Sequence, residues 1–357
     1  MIEVKVGTEK FKKWTDASVK RDIDNASCSF SLSSDEYRFK AGDEIKILVD
    51  GALWVDGFVD SVTGDSSYSG ISYSYSGRDK VMDLLDSSLP DGVKNFKAGM
   101  DLVLIINKIL KSIGLNVPVK NEAGSIKPFD YIELIAGDAG SSAFDLIQGY
   151  ARKRGVMINS DGQGIKLFRI NSGIVPVFNF TTKKGTEGTI LSSNMEIDIS
   201  ERFQKYVCKS QAQLEDEFSE ATVFRKGDSE DKSIRNSRYY EFVAEESMTT
   251  KECRQRAIEE MNIRKARSLK YTIEVPFHSQ NKMIYDIGYG ARIDDEILGV
   301  SGTFLIKSVE FKESLSGETT SLVLTYPDAY AIDSSIMQKA EKKADISRYL
   351  AERDKEI

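Results

Sequence analysis

The chain has 357 residues, 40% of them hydrophobic and 29% charged, with a formal net charge of −7. This is globular composition, long enough for two or three domains with buried cores, and far from the disordered or fibrous classes. The negative balance argues against a protein whose main work is to coat nucleic acid through its phosphates.

The opening segment, MIEVKVGTEKFKKW, lacks the apolar run of a signal peptide, and no window approaches the length of a membrane helix. Cys28, Cys208 and Cys253 are odd in number and far apart, which fits reduced, buried thiols and not a disulfide framework. The expectation is a soluble protein made in the cytoplasm.

The first 76 residues read as β. Ala26, Cys28, Phe30 and Leu32 alternate with Ser27, Ser29, Ser31 and Ser33, the period of a half-buried strand. Glu44–Asp50 and Leu53–Val62 form a hairpin pattern around Asp50-Gly51, a pair able to adopt positive φ. Ile71, Tyr73 and Tyr75 alternate with serines, and this strand is expected to run straight into a short helix at Gly77-Arg78-Asp79. Short antiparallel strands of this kind suggest a small barrel or sandwich.

Between about 90 and 172 the character changes. Val103, Ile106, Leu110 and Ile113 have helical spacing, with Gly114 placed as the cap. A second helix is predicted from near Ser141-Ser142, carrying Phe144, Ile147 and Ala151 on one face. Two strands, Val156–Ile158 and Ile165–Phe168, flank the turn Ser160–Gly164. The reading is two helices on a small sheet.

From about 173 the β character returns, with Met195, Ile197 and Ile199 alternating. Ala212–Ser247 carries ten acidic residues against five basic ones and is read as a long polar loop with little core. Thr249-Thr250-Lys251-Glu252 is a capping-box start for a helix through about Leu269, striped by Cys253, Ala257 and Met261. Strands are predicted at Tyr271–Val275, Ala291–Asp294, Thr303–Lys312 and Thr319–Tyr326, then a charged helix over about Ser334–Ala351. The segment Ala41–Val62 with its following strand at Ile71–Tyr75 is echoed by Tyr289–Val309 with Leu322–Tyr326. The echo suggests two duplicated barrels, and two like domains per chain in a threefold ring would present six similar units.

No catalytic constellation can be read. His278 is alone, and a lone histidine at a strand edge is taken as structural; one histidine with scattered cysteines also argues against zinc. Gly162-Gln163-Gly164 and Gly288-Tyr289-Gly290 are read as turns, since a phosphate loop needs further glycines or a Gly-Lys-Ser/Thr ending. Asp228–Asp231 is read as a solvated acidic loop lacking the glycine and terminal glutamate of a calcium hand. Asp294-Asp295 and Asp83/Asp86 are carboxylate pairs of the sort chance supplies among 56 acidic residues. The helix Lys251–Lys270, with seven basic and three acidic residues, is read as a wet face before a nucleic-acid contact.

The segment Trp54-Val55-Asp56-Gly57-Phe58-Val59-Asp60, then Ser76-Gly77-Arg78-Asp79 and Asp83–Ser88, resembles the first barrel of Mu-like phage baseplate hub proteins, the tail proteins of contractile-tailed phages and prophages. The likeness continues through 101–113, Phe144–Gly155, Gly164–Leu167, Leu322–Pro327 and Ala329-Tyr330. It implies an α+β, mainly β fold, with a first tube-like barrel domain at 1–90 and a small α/β domain at 91–172. A second tube-like barrel domain at 173–330 would hold the polar excursion (212–247) and its flanking helix (250–269), with a C-terminal helix at 331–357. It further implies a homotrimeric, pseudo-hexameric hub in the virion tail, assembled in the bacterial cytoplasm. Such a hub joins the tail tube to the central spike, contacts other baseplate proteins and passes DNA through a channel without specific binding. No cofactor, metal or catalytic residue comes with the resemblance. The readings set against it are the spike base of a type VI-like secretion system and a tail-associated cell-wall hydrolase. The net charge leads us to expect an acidic or neutral channel wall.

Overall fold

The computed structural model describes the chain except Thr8, Ser69, 91–95, 131–141, Ser172, Lys184, 186–187, 214–221, 245–247 and 332–357. The C-terminal helix expected over Ser334–Ala351 therefore lies outside the described residues. The chain forms two compact units, the first comprising Met1–Ile170, Ile174–Asn194 and Thr272–Leu324. Asn171–Gly173, Met195–Tyr271 and the chain from Thr325 onward make the second.

Seven strands open the first unit: β1 (Ile2–Val6), β2 (Glu9–Phe11), β3 (Asp16–Asp22), β4 (Asn25–Ser34), β5 (Glu44–Val49), β6 (Ala52–Ser67) and β7 (Gly70–Asp79). In β4 the alternation holds as read: Ala26, Cys28, Phe30 and Leu32 are buried. The β5–β6 hairpin turns at Asp50 and Gly51, whose φ values are 47° and 80°. Strand β7 extends to Asp79, and helix α1 (Met82–Asp86) begins only afterwards, a correction to the helix expected at Gly77. The reason is the ladder, which keeps Gly77, Arg78 and Asp79 paired with β6.

Next come α2 (Leu102–Ile113), β8 (Val119–Asn121), α3 (Ala143–Lys153), β9 (Met157–Ser160) and β10 (Ile165–Phe168). Asp101 caps α2 by accepting from the Leu104 N–H, and Gly114 closes it at φ 74°. Ser142 and Asp145 form a capping box on α3. Both helices bury an apolar stripe with β9 and β10 in one core that includes Ile105, Ile106, Ile109, Phe144, Ile147 and Leu167. The two helices and small sheet are thus present, and the sheet gains a third strand, β8, in the order β8-β10-β9.

Strands β11 (Pro176–Thr181) and β12 (Ser192–Ile197) follow. The second unit then holds β13 (Lys205–Gln213), β14 (Thr222–Glu230), β15 (Tyr239–Val243) and α4 (Thr250–Arg267). Here the polar loop expected at 212–247 is corrected. Strands β14 and β15 flank β13, antiparallel and parallel respectively. α4 packs on this sheet through Cys253 and Ala257 against Tyr206 and Cys208. Gly227 admits the α4 backbone, since a Cβ there would lie 2.1 Å from the Arg254 nitrogen. One covered face sustains the sheet, so the charged residues of these strands do not forbid it.

The chain continues with β16 (Leu269–Pro276), β17 (Ser279–Gln280), β18 (Met283–Ile284), β19 (Gly290–Asp295), β20 (Val300–Ser314) and β21 (Gly317–Thr325). Within the first unit the strand order is β21-β20-β3-β4-β7-β6-β5-β1-β2, with β19 on β20 and β11 parallel to β19. The two echoed segments share a topology: β5-β6-β7 and β19-β20-β21 are each a meander around a long middle strand. The matched residues Ile45 and Ile293 both pair with a glycine of that strand, Gly57 and Gly302. The protein is mainly β, and among the described residues no ladder closes either meander into a barrel.

Candidate functional site

The segment that carries the resemblance is a structural joint. Gly57 and Gly77 let β6 and β7 approach closely: a Cβ on either would lie 2.0 Å from a carbonyl of the opposite strand, Arg78 O and Phe58 O. A bulge at Asp60 lets its carboxylate take the Arg78 guanidinium at 2.8 Å, while the same guanidinium reaches Asp86 on α1 at 2.9 Å. Asp79 is buried; its carboxylate accepts from the Cys28 N–H (2.8 Å) and the Val81 N–H (3.1 Å). Burial pushes the Asp79 carboxyl up, against the pull of Ser160, Cys28 and Arg21.

Beyond this joint the hairpin becomes an arm. β5 accompanies β6 only as far as Phe58, and β4 accompanies β7 only to Tyr73, while β6 and β7 continue pairing to Ser67 and Gly70. Tyr68 is fully exposed and Ile71 55% exposed. A free two-stranded ribbon is marginally stable alone in water, so this arm is a candidate contact surface. A second candidate lies in the other unit, where Met195, Ile197 and Ile199 share the predicted alternation but are exposed (40%, 61% and 43%). The period was legible; that its apolar face is uncovered was not.

The residues screened for chemistry fall into structural roles. Gly162 (φ 85°) sits in a turn held by Asp161 Oδ1, which accepts from the Gln163 and Gly164 N–H groups. Gly288 turns at φ 84° and Gly290 packs on Val175. Asp295 is buried, accepting from the Ser193 hydroxyl and the Ile297 and Leu298 N–H groups. Asp83 carries a carboxyl raised by burial and by Asp86, whose own carboxylate pairs with Arg78. In Asp228–Asp231, Asp231 binds Arg202 at 2.6 Å and Asp228 binds Lys205 at 3.2 Å, so the chain's own cations meet these charges. On α4, Arg264 pairs with Glu260 at 2.7 Å and stacks over Tyr240, and Arg256 lies over Phe242.

His278 is fully buried and packs edge-on to Phe311. Its ring joins Glu313 and Glu318, which flank the β20–β21 turn, in one cluster whose ligand-type atoms lie within 4.8 Å of one another. Sequence reasoning missed those two carboxylates. They stand 35 and 40 positions from His278, and only the hairpin brings them to it.

Comparisons with known proteins first define a class. Residues 1–79 match the family model "Mu phage baseplate assembly protein GpP-like, N-terminal". The fold is similar to that of the 43 kDa tail protein of prophage MuSo2 from Shewanella oneidensis, at 22% identity and TM-score 0.78, covering 92% of this chain and 98% of that one. It is also similar to the tail protein from Neisseria meningitidis MC58, at 18% identity and TM-score 0.76, covering 93% and 99%. The chain thus has the fold of Mu-like phage tail proteins. More particularly, an alignment 282 positions long, covering 74% of this chain, shows 23% identity to the baseplate hub protein gp44 of Escherichia phage Mu and covers 71% of that protein. The resemblance to Mu-like baseplate hub proteins seen in the sequence is thereby borne out.

Proposed function

We propose that the chain is the structural hub of a contractile phage or prophage tail baseplate. The observation that carries this is the match to a baseplate hub protein over 74% of the chain, together with the family match at its N-terminal 79 residues. The finer reading is a homotrimer in which each chain gives two tube-like barrels, so that six similar units form a ring between tail tube and central spike. DNA passes through the ring without specific binding, along an acidic or neutral wall, and the hub resides in the virion tail. The two meanders around β6 and β20 support the duplication. Work here is done by shape and contact, in keeping with relatives that are tail and baseplate proteins. The β6–β7 arm and the exposed Met195/Ile197/Ile199 face supply surfaces that a ring would cover.

The test is mass in solution by native mass spectrometry, followed by electron microscopy of the particles. A trimer with a threefold ring is expected. A protein that stays monomeric across concentrations, or that clears peptidoglycan in a zymogram, overturns the reading.

A further inference from the structure

We propose that His278, Glu313 and Glu318 form a binding site for one divalent transition-metal cation, zinc foremost. Proton bookkeeping around the ring starts the argument. The Thr320 hydroxyl donates its single proton to the Phe277 carbonyl at 2.6 Å. Its oxygen, 3.0 Å from His278 Nδ1, therefore accepts from that nitrogen, so Nδ1 carries a proton and, in the neutral ring, Nε2 holds the lone pair. Nε2 is buried and has no hydrogen-bond partner among the described residues. It faces Glu318 Oε2 at 3.6 Å and Glu313 Oε2 at 4.0 Å. A lone pair aimed at two carboxylates is repulsive unless a positive centre lies between them. At 3.6 and 4.0 Å neither carboxylate oxygen is within hydrogen-bond distance of Nε2, so no N–H···O bond fills the gap.

The spacing suits a metal. Ligand atoms about 2.0–2.2 Å from a tetrahedral zinc lie roughly 3.4 Å apart. The observed 3.6 and 4.0 Å need only a few tenths of an ångström of contraction, within reach of two partly exposed glutamates. The charge also suits it. Asp50, Glu313 and Glu318 face one fixed positive group, the Met1 ammonium. That leaves two negative charges for a dication to balance. The Thr320–Phe277 relay already locks the ring and its tautomer, the outer-shell support that metal-bound histidines have. The two carboxylates border an open groove of about 470 Å³ lined also by Glu310, Lys312, Ser316 and Thr319. The amino terminus competes: the Met1 ammonium bonds Glu318 Oε2 at 2.7 Å, and the Ile2 N–H donates to Glu313 Oε2. Each Oε2 is a two-lone-pair acceptor, so one bond from the amino terminus leaves it a lone pair for the ion. One imidazole nitrogen and two carboxylate oxygens favour zinc, manganese or iron(II) over calcium or magnesium, whose sites are built of oxygen alone.

The test uses the full chain without a histidine tag, stripped of metal and titrated with zinc chloride. One ion per chain is expected by calorimetry. At a hundredfold excess over Kd the Tm should rise by roughly 5–10 °C. A Glu313→Gln/Glu318→Gln double variant should lose at least tenfold in affinity while keeping the native circular dichroism spectrum. Glu310→Gln, in the groove but outside the cluster, should bind as the parent does. Because the chain has one histidine, its imidazole NMR signals give a readout that needs no variant. They should shift on zinc addition with one-to-one stoichiometry. No saturable binding, unmoved imidazole signals while zinc binds, or a double variant of parental affinity would each overturn the proposal.

Discussion

Replacing Asp79 by alanine removes the acceptor for two backbone N–H groups, Cys28 at 2.8 Å and Val81 at 3.1 Å, at a carboxylate only 1% exposed. An orphaned buried donor costs about 1–3 kcal/mol, so two cost about 2–6. The true figure falls below the upper end, because a buried carboxylate is itself poorly solvated and removing it recovers part of that penalty. About 4 kcal/mol is therefore expected, which for a body of this size lowers Tm by roughly 8–16 °C. Asp79→Asn keeps one carbonyl acceptor but turns an NH₂ group toward the second N–H, and should fall between alanine and the parent. The assay is urea unfolding followed by tryptophan fluorescence, from Trp14 and from Trp54, which is buried beside Arg21 and Phe311, with thermal scans as a check. An Asp79→Ala loss below about 1 kcal/mol would refute the claim that this joint is held through the carboxylate. Equal losses for alanine and asparagine would show that charge, and not the acceptor count, matters.

Gly77→Ala should destabilise by about 1–3 kcal/mol or more through overpacking, since its Cβ would lie 2.0 Å from Phe58 O and 2.7 Å from the Phe30 ring; equilibrium unfolding measures it. Burial opposes ionisation of Asp231, but Ser233 and the Arg202 guanidinium outweigh it and hold the carboxyl below the usual carboxylate range. A depressed folded-state pKa means that this contribution is present above the unfolded value near 4 and is lost as pH falls through the folded one. Unfolding curves between about pH 5 and 2 should therefore flatten in Asp231→Asn relative to the parent. Cys28 and Cys208 are buried thiols pushed up to about 12, chiefly by desolvation, and Cys253 is buried and raised as well. Native protein should resist Ellman's reagent, with three thiols appearing in guanidinium; rapid native labelling would contradict the burial.

Much of the fold could be read because local rules and tertiary packing agree. The serine-spaced run Ala26–Leu32, the Asp50-Gly51 turn, the capping boxes at Ser142 and Thr249 and the Gly114 cap each encode their element within a few residues. The sequence also supplied the order of short motifs around Gly57 and Gly77 that points to baseplate hubs. Other features depended on long-range contact. The polar strands β14 and β15 form because β13 and α4 cover one side of them, a cover that the acidic composition of 212–247 does not announce. The strand through Ile197 has a core-like period, yet its apolar face is exposed, since period encodes a face and not what covers it. The helix expected at Gly77 gave way to ladder pairing with β6. His278 read as a solitary residue because linear spacing cannot show what a hairpin delivers. Composition, period and capping act within a turn or two of chain, so sequence determined the elements and the family likeness. Register and strand order act across hundreds of residues, and they alone decided which carboxylates meet the histidine and which apolar faces remain open.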